Sequence, residues 1–447
     1  MQTTTLTNMN ALKQNFSGEI ILPGDTSYEQ ASKAFIFKGA PAIVLKPKTP
    51  ADVAAGIQFA RSSSLILSVR SGGHSGAGLG TNNGGLVIDM SLMNSVELIN
   101  KEKRIVRIGT GAVWGSVAKK LQEYGLALSS GDTKSVGVGG LALGGGIGWM
   151  ARKHGLTIDH MTAAELITAD GKNIRANATE HQDLFWALRG GGGNFGIVTH
   201  FEFEAKPATQ VYSGMIIYTL ENPAALLKGW RDYMRTATED LTVMFLLMPA
   251  FMGNPPSAIA WCCYAGDNEV TANEAIDPLL KIGTVVQNMV TKKNYADVLE
   301  EAHPPEGMKI IVKNGFTENF SDEFIDVLAK HYGKETSPAL QIRSMGGAVK
   351  RVAVDATAFA HRSSEAMFVS ATFLPPTASR SDIEKAMIPW NSIAPFTKGA
   401  YVNFFSEATE KEVALAYPKT TYERLAKVKM MYDPKNTFNQ NYNIKPE

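Results

Sequence analysis

The sequence predicts an α+β fold in two unlike parts, and three features carry that expectation. Most of the 41 glycines fall before residue 200, gathered in the runs Ser71 to Gly76, Gly137 to Gly148 and Gly190 to Gly196. Between those runs, short helices alternate with short strands. From about residue 206 the texture changes to longer apolar runs separated by amphipathic helices, the pattern of an antiparallel sheet covered on one face by helices.

The elements read in order. Thr49-Pro50 caps a helix with Val53, Ile57 and Ala60 on one face, and Leu65 to Val69 comes next as a strand. A strand over Arg104 to Ile108 precedes a helix from about Gly111, with Val113, Val117 and Leu121 at i, i+4 and i+8, which stops at Gly125. The capping box Thr179-Glu180-His181-Gln182 opens a third helix that ends at Gly190. Beyond residue 206, apolar runs over Val211 to Thr219, Leu241 to Met248, Ala258 to Tyr264, Leu340 to Ser344 and Ala366 to Leu374 alternate with helices near 222–236, 270–281 and 321–332. Ala400 to Phe405 reads as a strand, Thr409-Glu410-Lys411-Glu412 opens a helix to Tyr417, another helix runs to about Met431, and Tyr432 to Glu447 is an irregular tail.

Composition narrows the function classes. With 44 Lys+Arg against 43 Asp+Glu, a formal charge of +1 and only 19% charged residues, the chain has no electrostatic footprint for nucleic acid and no disorder signature. The start, Met1 to Ser17, has no leader-like pattern, and the least polar stretch, Val136 to Ala151, is too rich in glycine for a membrane helix, so a cytoplasmic protein with no membrane partner is expected. The two cysteines, Cys262 and Cys263, are adjacent in an apolar run, which suits small buried strand residues.

Glycine-rich turns let backbone N–H groups converge on phosphate oxygens, and three such runs point to a phosphate-bearing cofactor. Gly137-Val138-Gly139-Gly140-Leu141-Ala142 satisfies G-x-G-x-x-G/A, yet Gly131 to Ser135 precedes it in place of a hydrophobic strand and Gly144-Gly145-Gly146 breaks any helix after it, so a Rossmann site is discounted. No P-loop and no G-x-S-x-G elbow occurs. His74, inside Gly72-Gly73-His74, reads as metal ligand, acid/base, covalent anchor or simple loop histidine. The other histidines (His154, His160, His181, His200, His303, His331 and His361) offer no H-x-x-x-H spacing, so no metal is expected.

Four ordered segments resemble one family over nearly the whole chain: Val69-Arg70-Ser71-Gly72-Gly73-His74; Val136 to Gly140 with Gly144 to Gly146; Leu184 to Gly196; and Tyr432 to Asn436 with Asn441-Tyr442-Asn443-Ile444. They are similar to the berberine bridge enzyme-like flavoproteins of the vanillyl-alcohol oxidase and p-cresol methylhydroxylase superfamily. The resemblance implies a two-subdomain FAD-binding domain over residues 1–205, returning at 406–447, around a substrate domain at 206–405 whose antiparallel sheet covers the flavin ring. It implies FAD attached through its 8α carbon to His74, with contacts from Arg70, Ser71, Gly72, Gly73, Ser75, Gly76, Gly131, Thr133, Val136, Gly137, Gly139, Gly140, Gly144, Gly148, Gly196, Val198, Asn441, Tyr442 and Asn443. Many relatives add a second bond from a cysteine in G-x-C-x-x-V-G; Gly131 to Gly137 carries Thr133 there, so single attachment is expected.

For catalysis, the resemblance implies hydride transfer from a C–OH or C–NH donor to flavin N5. Relatives that oxidise sugars or polyketide alcohols often carry Y-x-N-Y; Tyr401-Val402-Asn403-Phe404 keeps the first phenol and loses the second. Tyr401 is the expected base or orienting group and Asn403 a substrate or flavin contact. A lone phenol with a pKa near 10 is a weak base at neutral pH, which favours an amine or an apolar alcohol. Asp355 reads as structural and paired with a cation, because the aligned acid is Ala356; Trp149, Arg152 and Trp186 read as packing and solvated positions. The expected activity is an oxidase of a small organic molecule that uses O2 and releases hydrogen peroxide, as a monomer or homodimer. A same-fold dehydrogenase with another acceptor and a catalytically decayed flavin-binding protein remain as alternatives.

Overall fold

The computed structural model describes residues 2–208, 210–250, 253–301 and 307–447, the first seven of these as backbone only. His303 lies outside the described residues.

Three sheets carry the architecture. The first has four strands in the order Glu19–Ile21, Ile43–Lys46, Leu86–Asp89, Leu67–Arg70, and its central pairings are parallel. The helix Pro50–Ser62, capped by a reciprocal Thr49–Asp52 box, buries Val53, Ile57, Phe59 and Ala60 in the same core as Leu45, Leu67 and Ile88. The second sheet has five antiparallel strands in the order Asn173–Asn177, Met161–Ile167, Ile197–Glu204, Ile105–Gly109, Val96–Asn100. The helix Trp114–Glu123 covers it with Trp114, Val117 and Leu121, as the i, i+4 spacing from Val113 required.

The third sheet is the long one. Gln210–Tyr218, Ser257–Tyr264, Leu241–Met248, Ala339–Ser344, Ala366–Leu374 and Lys309–Thr317 lie side by side, all antiparallel, with Val285–Asn288 and Thr291–Asn294 on the first. Its strands sort side chains between two cores. Val243, Phe245 and Leu247 join the helices Pro223–Thr236 and Asp322–His331, whereas Met244 and Leu246 face the glycine-rich half. Cys262 and Cys263 are buried and fall on opposite sides by the same alternation. Burial pushes the Cys262 thiol up to about 12, so it stays protonated.

Val138–Gly144 is a short helix inside the second glycine run, stopped by Gly145 and Gly146 at φ of 142° and 83° as the glycines there implied. Several expectations change. Ala400 to Phe405 is not a strand. Lys398 makes an isolated bridge to the neighbouring strand, at Phe316, and Val402–Phe404 turns into a 3₁₀ helix. The Asn314 amide explains this: it donates to Tyr401 O at 3.2 Å and accepts from Tyr401 N at 2.6 Å, replacing a ladder rung with a side chain. Arg152 is buried, not solvated, and donates to Met345 O and Ala237 O across the boundary between the two parts. Asp355 is exposed in a turn and has no ion pair among the described residues; the buried pair nearby is Arg362 with Asp159, at 2.7 and 2.8 Å. Among the described residues no helix is long and apolar enough to cross a membrane, and no cluster of His, Cys, Asp and Glu could hold a metal ion.

Candidate active site

The three glycine runs meet: the first touches the second through Gly72 and Gly137, and Gly190 N and Gly192 N of the third both donate to Leu143 O, at 3.0 and 3.1 Å. A Cβ on Gly72 would stand 2.2 Å from Gly137 N, so these two backbones touch where any other residue would force them apart. Ser71 stitches the same contact, donating to Thr110 O at 2.6 Å and accepting from Gly139 N at 3.2 Å. Gly148 packs against the Ser130 carbonyl, and Gly144 against the Asn403 amide. At Gly140, by contrast, a Cβ would meet nothing within 4 Å.

His74 lies on this pleat, half-buried, its ring stacked on Phe35 at 4.6 Å between centroids. Burial lowers its pKa below the ordinary 6.5, with Glu301 partly opposing, so the imidazole is neutral at neutral pH. Ser75 and Gly76 continue the loop to Phe405, whose carbonyl accepts from the Tyr442 hydroxyl at 3.2 Å. The tail is held by a fully buried ammonium: Lys429 donates to Asp433 at 2.7 Å, to Asn194 O at 2.8 Å and to Phe438 O at 2.9 Å. The Asn194 side chain then bonds Tyr442 O and Ile444 N.

Tyr401 enters from the other side of the chain. Its hydroxyl accepts from Gly146 N at 2.7 Å and from Asn403 Nδ2 at 2.9 Å, and its own proton finds no acceptor among the described residues. Burial pushes the phenol up to about 12, against those two hydrogen bonds and the nearby Arg343 charge. The hydroxyl is therefore arranged to give a hydrogen bond rather than to take a proton. Phe404 stands edge-on to Tyr401 at 5.5 Å.

The structure thus gathers the His74 loop, the glycines of the second run, the tail asparagines and Tyr401 with Asn403, whereas Gly196 packs against Leu166 and Ile167 of the second sheet. Arg70 is buried, its guanidinium donating to Asp89 at 2.7 Å, Ala31 O and Lys33 O, which leaves one Nη1 N–H and the Nε N–H without a partner among the described residues. The Val198 side chain joins the main core. Gly131, Thr133 and Val136 lie in a segment tied to the long-sheet part, where Lys134 N and Glu300 O pair at 2.9 Å. Sequence reasoning missed Arg343 altogether. A cation in the middle of an apolar strand carries no motif, and only the sheet register reveals that it faces Asp132.

Whether these residues suit a bound flavin dinucleotide can be judged from what they leave open. Residues 71–79 are interior yet each only half-buried, Gly140 fronts open space, and the buried Oδ1 atoms of Asn441 and Asn443 have no partner among the described residues. A flat ring system with a polar, phosphate-bearing chain matches all three. The residues fit the group. A larger recess of about 370 Å³ lies elsewhere, among Arg61, Lys172, His181 and Tyr432, and includes none of the glycine-run residues.

Comparison with known proteins agrees. Residues 41–177 match a family model described as an FAD binding domain, and residues 400–445 match one described as berberine and berberine like. An uncharacterized FAD-linked oxidoreductase of Bacillus subtilis is 30% identical over 97% of this chain and 98% of its own length. Chitooligosaccharide oxidase of Gibberella zeae is 30% identical over 91% of this chain and 88% of its own. The solved structure of 6-hydroxy-D-nicotine oxidase from Arthrobacter nicotinovorans is similar at a TM-score of 0.86 and 28% identity, covering 97% of this chain and 98% of that one.

Proposed function

Because the chain belongs to the berberine bridge enzyme-like FAD-linked oxidoreductases, we propose that it is an oxidase carrying FAD on His74 alone and acting on an amine or apolar alcohol, with O2 as acceptor. The observation that carries the attachment is the neutral, half-buried imidazole on the glycine pleat, with Thr133 where many relatives have a cysteine. Both cysteines of the chain are buried strand residues with thiols held protonated, so neither offers a second bond.

FAD, when bound, supplies the hydride acceptor and the route for electrons to oxygen. The chain supplies position. Ser71, Gly72, Gly137 and Gly140 would hold the phosphate-bearing chain with their backbone, and Asn441 and Asn443 offer unpaired oxygens. Tyr401 directs its O–H at the donor's oxygen or nitrogen, held there by Gly146 N and Asn403. A phenol near 12 takes no proton from an alcohol at neutral pH, whereas a neutral amine has a lone pair beside its C–H bond and needs no base. That asymmetry supports C–N donors.

Two measurements test this reading. Acid precipitation of the purified protein should leave the yellow colour in the pellet, and flavin in the supernatant would refute the anchor. Anaerobic mixing with amines, apolar alcohols and oligosaccharides should bleach the flavin with the first two classes, and admission of air should restore it. Bleaching by oligosaccharides alone, or no recovery in air, would overturn the donor and acceptor assignments respectively.

A further inference from the structure

Arg343 is a charged side chain that the long sheet turns toward the site and that the proposed chemistry does not use. It lies on Ala339–Ser344, on the same face as Gln341 and opposite Met244 in the register of the neighbouring strand. Its guanidinium is buried and crosses the boundary between the two parts of the molecule: it donates to the Asp132 carboxylate, to Ile147 O at 3.3 Å and to Gln341 Oε1 at 3.0 Å. A guanidinium has five N–H groups, so one on each terminal nitrogen is left without a partner among the described residues. The cation lies 5.0 Å from the centre of Phe404, whose other neighbour is Tyr401.

The surroundings are apolar but not closed. Leu246, Trp261, Val312 and Phe404 pack on the glycine-side core and stay half-buried, while Met244 and Val369 are buried beside them. Two further polar groups lie beside Arg343. The Trp149 indole N–H and the Thr242 hydroxyl, both buried and without partners among the described residues, border a void of about 10 Å³ together with Arg343. Donors outnumber acceptors here, and the Asp132 carboxylate is already paired. Burial by itself pushes the Asp132 carboxyl up, but the Arg343 charge together with hydrogen bonds from Arg343 and Thr133 more than offsets it, so Asp132 stays ionised.

We propose that Arg343 selects the donor: it hydrogen-bonds a neutral acceptor oxygen or nitrogen on an otherwise apolar molecule, while Asp132 cancels the charge that would recruit anions. A polyol would leave hydroxyls unpaired against Trp261, Leu246 and Val312, and a carboxylate would meet Asp132 beside the guanidinium. The inference rests on the reading of this site as that of a flavin oxidase and narrows its substrate class.

The test uses the holoenzyme and three amines of one carbon skeleton, bearing an amide, a carboxylate or a methyl group at the same position. Anaerobic flavin reduction at varied concentration separates the reduction rate from the Kd, and calorimetry with non-oxidisable analogues gives the Kd without turnover. The amide compound should bind about tenfold tighter than the other two. Arg343→Gln should weaken the amide compound about tenfold relative to the methyl compound, and Arg343→Lys should recover part of the loss. Asp132→Asn should turn the preference toward the carboxylate. Equal losses for all three compounds, or a wild-type preference for the carboxylate, would overturn the proposal. Should Arg343→Gln fail to fold around an unpaired Asp132, the double variant Arg343→Gln/Asp132→Asn removes both charges and must abolish the amide preference. If no compound bleaches the flavin, the oxidase reading fails, and the analogue affinities still judge Arg343 by themselves.

Discussion

The loop that bears His74 and the turn that bears Tyr401 meet in one site and are built on opposite principles. His74 is half-buried, is stacked on Phe35 and stands on backbone that touches only because both partners are glycine. Tyr401 is buried, its backbone is bound on both sides by Asn314, and its hydroxyl receives two N–H groups. The first region is shaped to admit a large group beside a neutral imidazole, and the second to hold one hydroxyl still. Attachment and orientation are therefore separable functions, and variants should divide them.

The largest expected effect lies at the loop. His74→Ala should abolish acid-stable flavin in the protein pellet, read by visible absorbance and by intact mass; retention of the bound mass would erase the contrast between the two regions. Next comes the clasp that joins them. Lys429→Met removes the cation from a buried pair with Asp433, at a cost of about 3–5 kcal/mol in denaturant unfolding, whereas Lys419→Met, from an exposed pair with Glu423, should change stability by less than about 0.5 kcal/mol. Similar costs at the two lysines would mean that the tail is not anchored as described.

Tyr401→Phe should keep the flavin on the pellet and lower kcat/KM about 10²-fold, with no new ionisation between pH 6 and 9 because the phenol titrates near 12. Lost attachment in this variant would show that the regions are not independent. The smallest effect is on stability in acid. His160 is buried and His361 half-buried, and desolvation is the chief cause that lowers both pKa values to about 4. Unfolding frees each to take a proton near 6.5, so the unfolded state binds more protons below that pH and stability falls as pH falls. Between pH 7 and 5 the loss should be about 1–2 kcal/mol for each, measured by chemical denaturation at fixed ionic strength. His361→Gln should flatten that slope; an unchanged slope would acquit the group.

Legibility in the sequence tracked the same divide. Each glycine run and the Tyr401–Asn403 pair is built from residues close together along the chain, and each imposes a local constraint that a short stretch of residues reveals. The Arg343–Asp132 pair spans more than two hundred positions and has no local signature. One local reading also failed for a non-local reason: Ala400 to Phe405 has strand-like residues but loses its ladder to Asn314.

The residues alone determined that backbone would approach something closely at three glycine runs, that one histidine would stand among them and that a sheet with a helical cover would come after, because steric freedom and side-chain periodicity are properties of short segments. Only the tertiary structure decided which way the Tyr401 hydroxyl gives its hydrogen bond and where the buried Arg343 of the long sheet finds its carboxylate. Those depend on strand register and on burial, which shift proton affinity and pair distant charges in ways that no stretch of neighbouring residues encodes.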